Sequence, residues 1–184
     1  MTQLAAGDTF EISATRIRMG IGWDKDAGAG YARTGRREVD LDATALEFTG
    51  TQLFDLAFYN NLATRDGSVT HQGDNQSGSG AGDDESVLVD LSKVHGPVDT
   101  IVLLVSSYMG QSLAWIANAY CRLVDDETDE ELARFTLTFS IEETGAVLAL
   151  LRRTPAGWTL HAVGEGVPIS VPTEGLAKLT RFVS

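Results

Sequence analysis

The sequence predicts a mainly-β fold, a β-sandwich of two mixed or antiparallel sheets with one or two short helices. Three observations carry that expectation. Apolar and polar residues alternate with a period of two through most ordered stretches. No βαβ unit of about 30 residues appears, so a doubly wound parallel sheet is unsupported. The chain of 184 residues holds 19 glycines against 4 prolines, and the glycines cluster in two stretches, residues 20–35 and 67–85, that read as long loops.

The elements follow in order. Residues 39–46 (VDLDATAL) alternate cleanly, and residues 53–59 (LFDLAFY) form a second β-rich run. Residues 85–91 (ESVLVDL) alternate again. Residues 100–106 (TIVLLVS) are β-branched and apolar on both faces, which predicts a central, fully buried strand. Residues 119–124 and 131–137 read as a hairpin across an acidic turn, and residues 145–152 and 157–163 as another, with Trp158 and Leu160 on one face. Residues 111–118 suit a short helix, and residues 174–182 a terminal one, because Leu176, Leu179 and Phe182 make an i, i+3 stripe. About nine strands and two helices result, in a single domain spanning residues 1–184.

Composition narrows the function. With 14 Lys plus Arg against 26 Asp plus Glu, the formal charge is -12, which repels phosphate backbones, so direct nucleic-acid binding is not expected. No apolar run approaches the roughly 18 residues of a membrane helix. The single cysteine, Cys121, rules out an internal disulfide framework and fits a reducing, cytoplasmic setting. It lies in an apolar strand pattern and reads as an inert core thiol. Gly110-Gln111-Ser112-Leu113-Ala114 lacks the second glycine of an esterase elbow. His71, His95 and His161 show no metal-ligand spacing and read as surface or structural histidines. The glycine run at 78–82 is followed by Asp83-Asp84-Glu85 rather than the Lys-Ser/Thr of a phosphate loop.

What remains is a constellation of carboxylates. Asp40 and Asp42 are two apart on an expected strand, so both emerge on one face about 6.6 Å apart. Asp74, Asn75, Asp83, Asp84 and Glu85 add further oxygen. Oxygen ligands on glycine-rich loops suit Ca²⁺, which takes six to eight of them in a flexible shell. The alternative is an acidic loop that is merely solvated. The run from Asp125 to Glu131 reads as a solvated hairpin tip.

Several segments, in one order, resemble the tellurium-resistance TerD family, also called the calcium-binding bacterial stress proteins. They are Gly20-Ile21-Gly22-Trp23-Asp24, Asp40-Leu41-Asp42-Ala43, Phe58-Tyr59-Asn60-Asn61, Gly73-Asp74-Asn75-Gln76-Ser77-Gly78 and Gly82-Asp83-Asp84-Glu85. The run continues through Val87 to Leu91, Asn118 to Asp125 and Glu131 to Phe135. The resemblance implies a β-sandwich that binds Ca²⁺ in an acidic bowl, acts in stress or tellurite resistance through protein partners, and catalyses no established reaction. It carries ligand roles onto Asp40, Asp42, Asp74, Asp83, Asp84 and Glu85. Asn60, Asn61 and Asn75 become ligands or orienting groups, with Asp24 a weaker candidate and Trp23 packing the base of its loop. Ser79 and Ala81 depart from the family's acidic rhythm, which puts a second ion in question. The rival reading is a metal-dependent binder or enzyme for a phosphorylated or nucleotide ligand, with Arg33, Arg36, Arg37 or Arg65 meeting the phosphate.

Overall fold

The structure, a computed structural model, describes residues 5–24, 39–74, 82–138 and 140–184, without the side chain of Asp74. Eleven strands are described: β1 (Thr9–Ile12), β2 (Arg16–Gly22), β3 (Leu41–Thr49), β4 (Gln52–Ala57), β5 (Val69–Asp74), β6 (Glu85–Asp90), β7 (Thr100–Ser107), β8 (Tyr120–Asp125), β9 (Glu130–Thr136), β10 (Gly145–Thr154) and β11 (Gly157–Val167). One helix, α1 (Leu176–Val183), closes the chain.

The strands form a six-stranded sheet in the order β1-β11-β10-β7-β3-β4 and a five-stranded sheet in the order β5-β6-β2-β8-β9. All the pairings among the described strands are antiparallel, so the sandwich is as expected, built of antiparallel sheets. β7 lies between β10 and β3 with all eight residues buried, as its two-faced apolar sequence predicts. Both expected hairpins form, β8 with β9 and β10 with β11.

Two apolar layers follow from the alternation along each strand. Ile17, Met19, Ile21, Leu41, Ala43, Ala45, Val87, Val89, Leu103, Cys121 and Leu148 fill the space between the sheets. On the other side of the six-stranded sheet, Leu46, Phe48, Val102, Leu104 and Leu150 pack under Leu179, Phe182 and Val183 of α1. The i, i+3 stripe of α1 thus has a partner surface, and burying each such large side chain is worth about 1.5–3 kcal/mol.

Three expectations need correction. β5 falls inside the stretch 67–85 that reads as a loop, and β2 runs into the start of 20–35. β5 turns only Val69 and His71 inward, too weak a pattern to stand out, and its pairing with β6 makes it a strand. The helix expected at 111–118 is a single 3₁₀ turn, Leu113–Trp115. The N–H groups of Leu113 and Ala114 bond to the carbonyls of Glu143 and Ile141 instead of to their own segment.

Candidate metal site at the acidic end

β3 begins and β6 begins at the same end of the sandwich, which brings two acidic segments together. By alternation Asp42 stands on the same side of β3 as Leu46 and Phe48, facing away from the inter-sheet core. Asp40 precedes the strand, and its carbonyl accepts the N–H of Tyr108 at 3.1 Å. The Tyr59 hydroxyl senses both carboxylates. Its pKa is raised by burial first and then by the charge of Asp42, with Tyr108, Glu174 and Asp40 adding to the effect.

Glu85 points between the sheets and is buried. Its Oε1 accepts the backbone N–H of Ala43 at 2.7 Å, the residue after Asp42, and the Nε2–H of His71 at 2.7 Å. His71 Nδ1 accepts the N–H of Gly73 at 3.2 Å, which leaves Nε2 to carry the proton. Pairing at Ala45 with Ala57 starts the β3–β4 ladder, so the Ala43 N–H lies beyond that ladder and Glu85 satisfies it.

Trp23 makes the second tie. Its backbone N–H donates to Asp84 Oδ2 at 3.0 Å, while its indole donates to the carbonyl of Val39 at 3.1 Å, one residue before Asp40. It is buried at this end and links the two acidic segments. Asp24, next along, is exposed and accepts a hydrogen bond from the Asn118 side-chain amide. Asn61 closes the turn at 58–61, donating its amide to the carbonyl of Leu56 at 2.7 Å, and Asn60 is exposed at the tip of that turn.

Asp83 stands apart from these groups, on the outer face of the five-stranded sheet. Its Oδ1 accepts Arg122 Nε at 2.7 Å and its Oδ2 faces Arg18 Nη1 at 3.3 Å. Arg18 also pairs with Asp126 and Asp129, and Glu131 pairs with Arg122 and Arg134. The acidic hairpin tip, read from sequence as solvated, thus pairs four of its carboxylates, Asp126, Glu127, Asp129 and Glu131, with arginines. Asn75 lies outside the described residues, as do Ser79, Ala81, Arg33, Arg36, Arg37 and the side chain of Asp74. Arg65, the remaining arginine of the phosphate reading, pairs with Asp55 and covers the ring of Phe54.

Sequence reasoning missed His71 as the buried partner of Glu85, along with the arginines that neutralise Asp83. The signal for His71 was faint: on paired strands it sits one step diagonally from Glu85, on the same inward face. Among the described residues no three His, Cys, Asp or Glu side chains gather as a metal-holding group. The side-chain donors described at this end are nonetheless carboxylate oxygens, suited to a hard cation, and the His71 imidazole is already bonded to Glu85. The described residues fit that chemistry without closing a coordination shell by themselves.

A two-sheet antiparallel sandwich with paired acidic segments at one end defines a class of β-sandwich proteins with an acid-rich loop end. The chain belongs to the TerD domain family, whose family model matches residues 1–181. It is 35% identical to tellurium resistance protein TerZ of Serratia marcescens over 174 residues, covering 90% of each chain. It is also 35% identical to general stress protein 16U of Bacillus subtilis over 178 residues, covering 89% of each. A crystal structure of a homologue of telluride resistance protein (TerD) from Streptomyces coelicolor A3(2) shares the fold at a TM-score of 0.76 and 15% identity. That match covers 91% of this chain and 98% of the other. The family is one of tellurium resistance and general stress response. Among the described residues no helix is long and apolar enough to cross a membrane.

Proposed function

We propose that the protein binds Ca²⁺ at its acidic end and acts, without catalysis, as a cytoplasmic stress-response protein through a partner. The observation that carries this reading is the double tie between the acidic segments. Glu85 joins β6 to Ala43 beside Asp42, and Trp23 joins Asp84 to Val39 beside Asp40. Asp40, Asp42, Asp84 and Glu85 thereby lie at one end of the sandwich, the end at which β5 reaches Asp74, with Asn75 next in the sequence. Asp24 and Asn60 border the same end. Asp83, already held between two guanidiniums, serves to anchor the element and not as a ligand. A bound cation would offset the mutual repulsion of these carboxylates and create the surface a partner reads.

Calorimetric titration of metal-stripped protein tests the reading. Ca²⁺ should bind at least about tenfold more tightly than Mg²⁺, because Mg²⁺ demands a tight octahedron that loop oxygens do not offer. Replacing Asp40 and Asp42 with asparagine should abolish that binding and leave the β-sheet circular dichroism intact. Equal affinities for the two ions, or unchanged binding in the double variant, would overturn it.

A further inference from the structure

At the opposite end of β3 a second carboxyl is buried with different partners. Glu47 is 0% exposed and shares the inward face of β3 with Ala43 and Ala45. Its Oε1 accepts the Ser68 hydroxyl at 2.6 Å, while Oε2, equally buried, meets no donor among the described residues. Ser68 belongs to a tight turn at residues 64–69. Within it Thr64 donates its hydroxyl to Asp66 Oδ1 at 2.8 Å, and the N–H of Thr64 bonds to the carbonyl of Val69 at 3.0 Å. Asp66 Oδ1 also accepts the Ser68 N–H, and its Oδ2 accepts the N–H of His95 at 2.8 Å from the β6–β7 connection. Glu47 thus sits beneath a turn that joins β4 to β5, and so links the two sheets.

The charges facing this carboxyl are unequal. From the turn comes Asp66, whose burial opposes ionisation but whose bonds to Ser68, His95 and Thr64 keep its pKa below the usual value. From β4 comes Asp55, the cross-strand neighbour of Glu47, and it is paired with Arg65. From the β6–β7 connection comes His95, which meets Asp66 through its backbone while its ring stacks on Phe54. β7 brings Ile101 opposite Glu47, without charge. No cation touches Glu47 among the described residues, and the charge that acts on it is the negative one of Asp66.

We propose that Glu47 is a proton-operated latch on the 64–69 turn: protonated, it holds the turn against β3, and once ionised it repels Asp66 and loosens the turn. Burial is the main reason it keeps its proton; the Ser68 hydroxyl, which favours the carboxylate, opposes this, the neighbouring Asp66 carboxylate adds to it, and the net pKa is raised to about 7. A proton on Oε2 removes the charge and leaves Oε1 free to accept from Ser68. Loss of that proton places two carboxylates side by side in a region of low dielectric, which the turn relieves by opening to water. The threshold falls where modest changes in pH alter the occupancy. The latch lies at the far end of β3 from the acidic site and does not depend on calcium.

The test uses the full chain in chelator, following the Glu47 carboxyl by carbon-13 NMR and amide hydrogen exchange of residues 64–69 from about pH 5.5 to pH 8.5. Exchange corrected for its intrinsic pH dependence should quicken at least about tenfold, with the same midpoint as the Glu47 titration. In Glu47→Gln, which cannot ionise, the corrected exchange should stay within about twofold across the range. A Glu47 carboxyl that titrates below about pH 5, or corrected exchange that does not change with pH, would overturn the proposal. So would a Glu47→Gln protein that keeps the wild-type pH dependence, since another group would then be responsible. If the variant does not fold, the wild-type protein decides the matter: coincident midpoints support the latch and separate midpoints overturn it.

Discussion

The Asp83 side chain fills the space that a Cβ on Gly20 would occupy. Gly20 lies between Arg18 and Gly22 on the outer face of β2, directly opposite Arg122 of β8. The missing side chain lets the carboxylate lie flat on the sheet between two guanidiniums, with only 6% of its side chain exposed. The bond to Asp83 in turn raises the pKa of Arg122. A glycine that reads as loop flexibility therefore acts as a slot for one specific carboxylate.

Gly20→Ala should force Asp83 out of that slot and destabilise the protein by about 1–3 kcal/mol, the cost of a lost charge-assisted bond plus overpacking. Chemical denaturation measures it. The same substitution made in an Asp83→Ala background should cost much less, because the clash is gone. Equal costs in both backgrounds would show that the slot has no energetic meaning.

Glu85→Ala removes the acceptor for both Ala43 N–H and His71 Nε2–H at a buried position. It should lower stability by about 2–4 kcal/mol, since two buried donors lose their partner. Glu85→Gln keeps an oxygen in place and should cost less. Thermal unfolding of the two variants in chelator ranks them without involving a metal.

Glu47 gives the folded state a pH-dependent stability whose sign follows from its raised pKa. Its folded pKa of about 7 lies above the 4.5 of an unperturbed glutamate, so the folded state binds the proton more tightly than the unfolded chain. The associated stability is complete below about pH 4.5 and is lost as the pH rises through about 7. At about 1.36 kcal/mol per unit the loss is on the order of 3 kcal/mol. Urea unfolding at about pH 5.5 and pH 8 should show much of that decline in the wild type and little of it in Glu47→Leu.

Cys121 lies in the core with 0% exposure, and burial pushes its thiol pKa well above the usual value, with the charge of Asp83 adding to the rise. Thiolate is the reactive form, so alkylating reagents should leave the native protein unmodified and label it stoichiometrically in denaturant. Rapid labelling of the folded chain would contradict the burial.

The sequence alone determined what local pattern determines. Alternation along 39–46, 100–106 and the two hairpins made the strands legible, because period-two burial is written residue by residue. The stripe Leu176, Leu179 and Phe182 likewise marked α1 and its buried face. Order and spacing of the acidic segments were enough to reveal the family. β5 and the partners of its residues were not legible, since a strand with two inward residues becomes one only by pairing with β6. The fates of Asp83, Glu85 and Glu47 were also closed to the sequence. All are carboxylates, and their chemistry depends on what the fold sets against them. Asp83 meets two guanidiniums across a glycine slot, Glu85 meets an amide and an imidazole, and Glu47 meets a hydroxyl and another carboxylate. Those partners are distant in sequence, and solvation, charge and hydrogen bonding act through space, so tertiary structure alone decided which carboxylate is neutralised, which is a tie and which holds a proton.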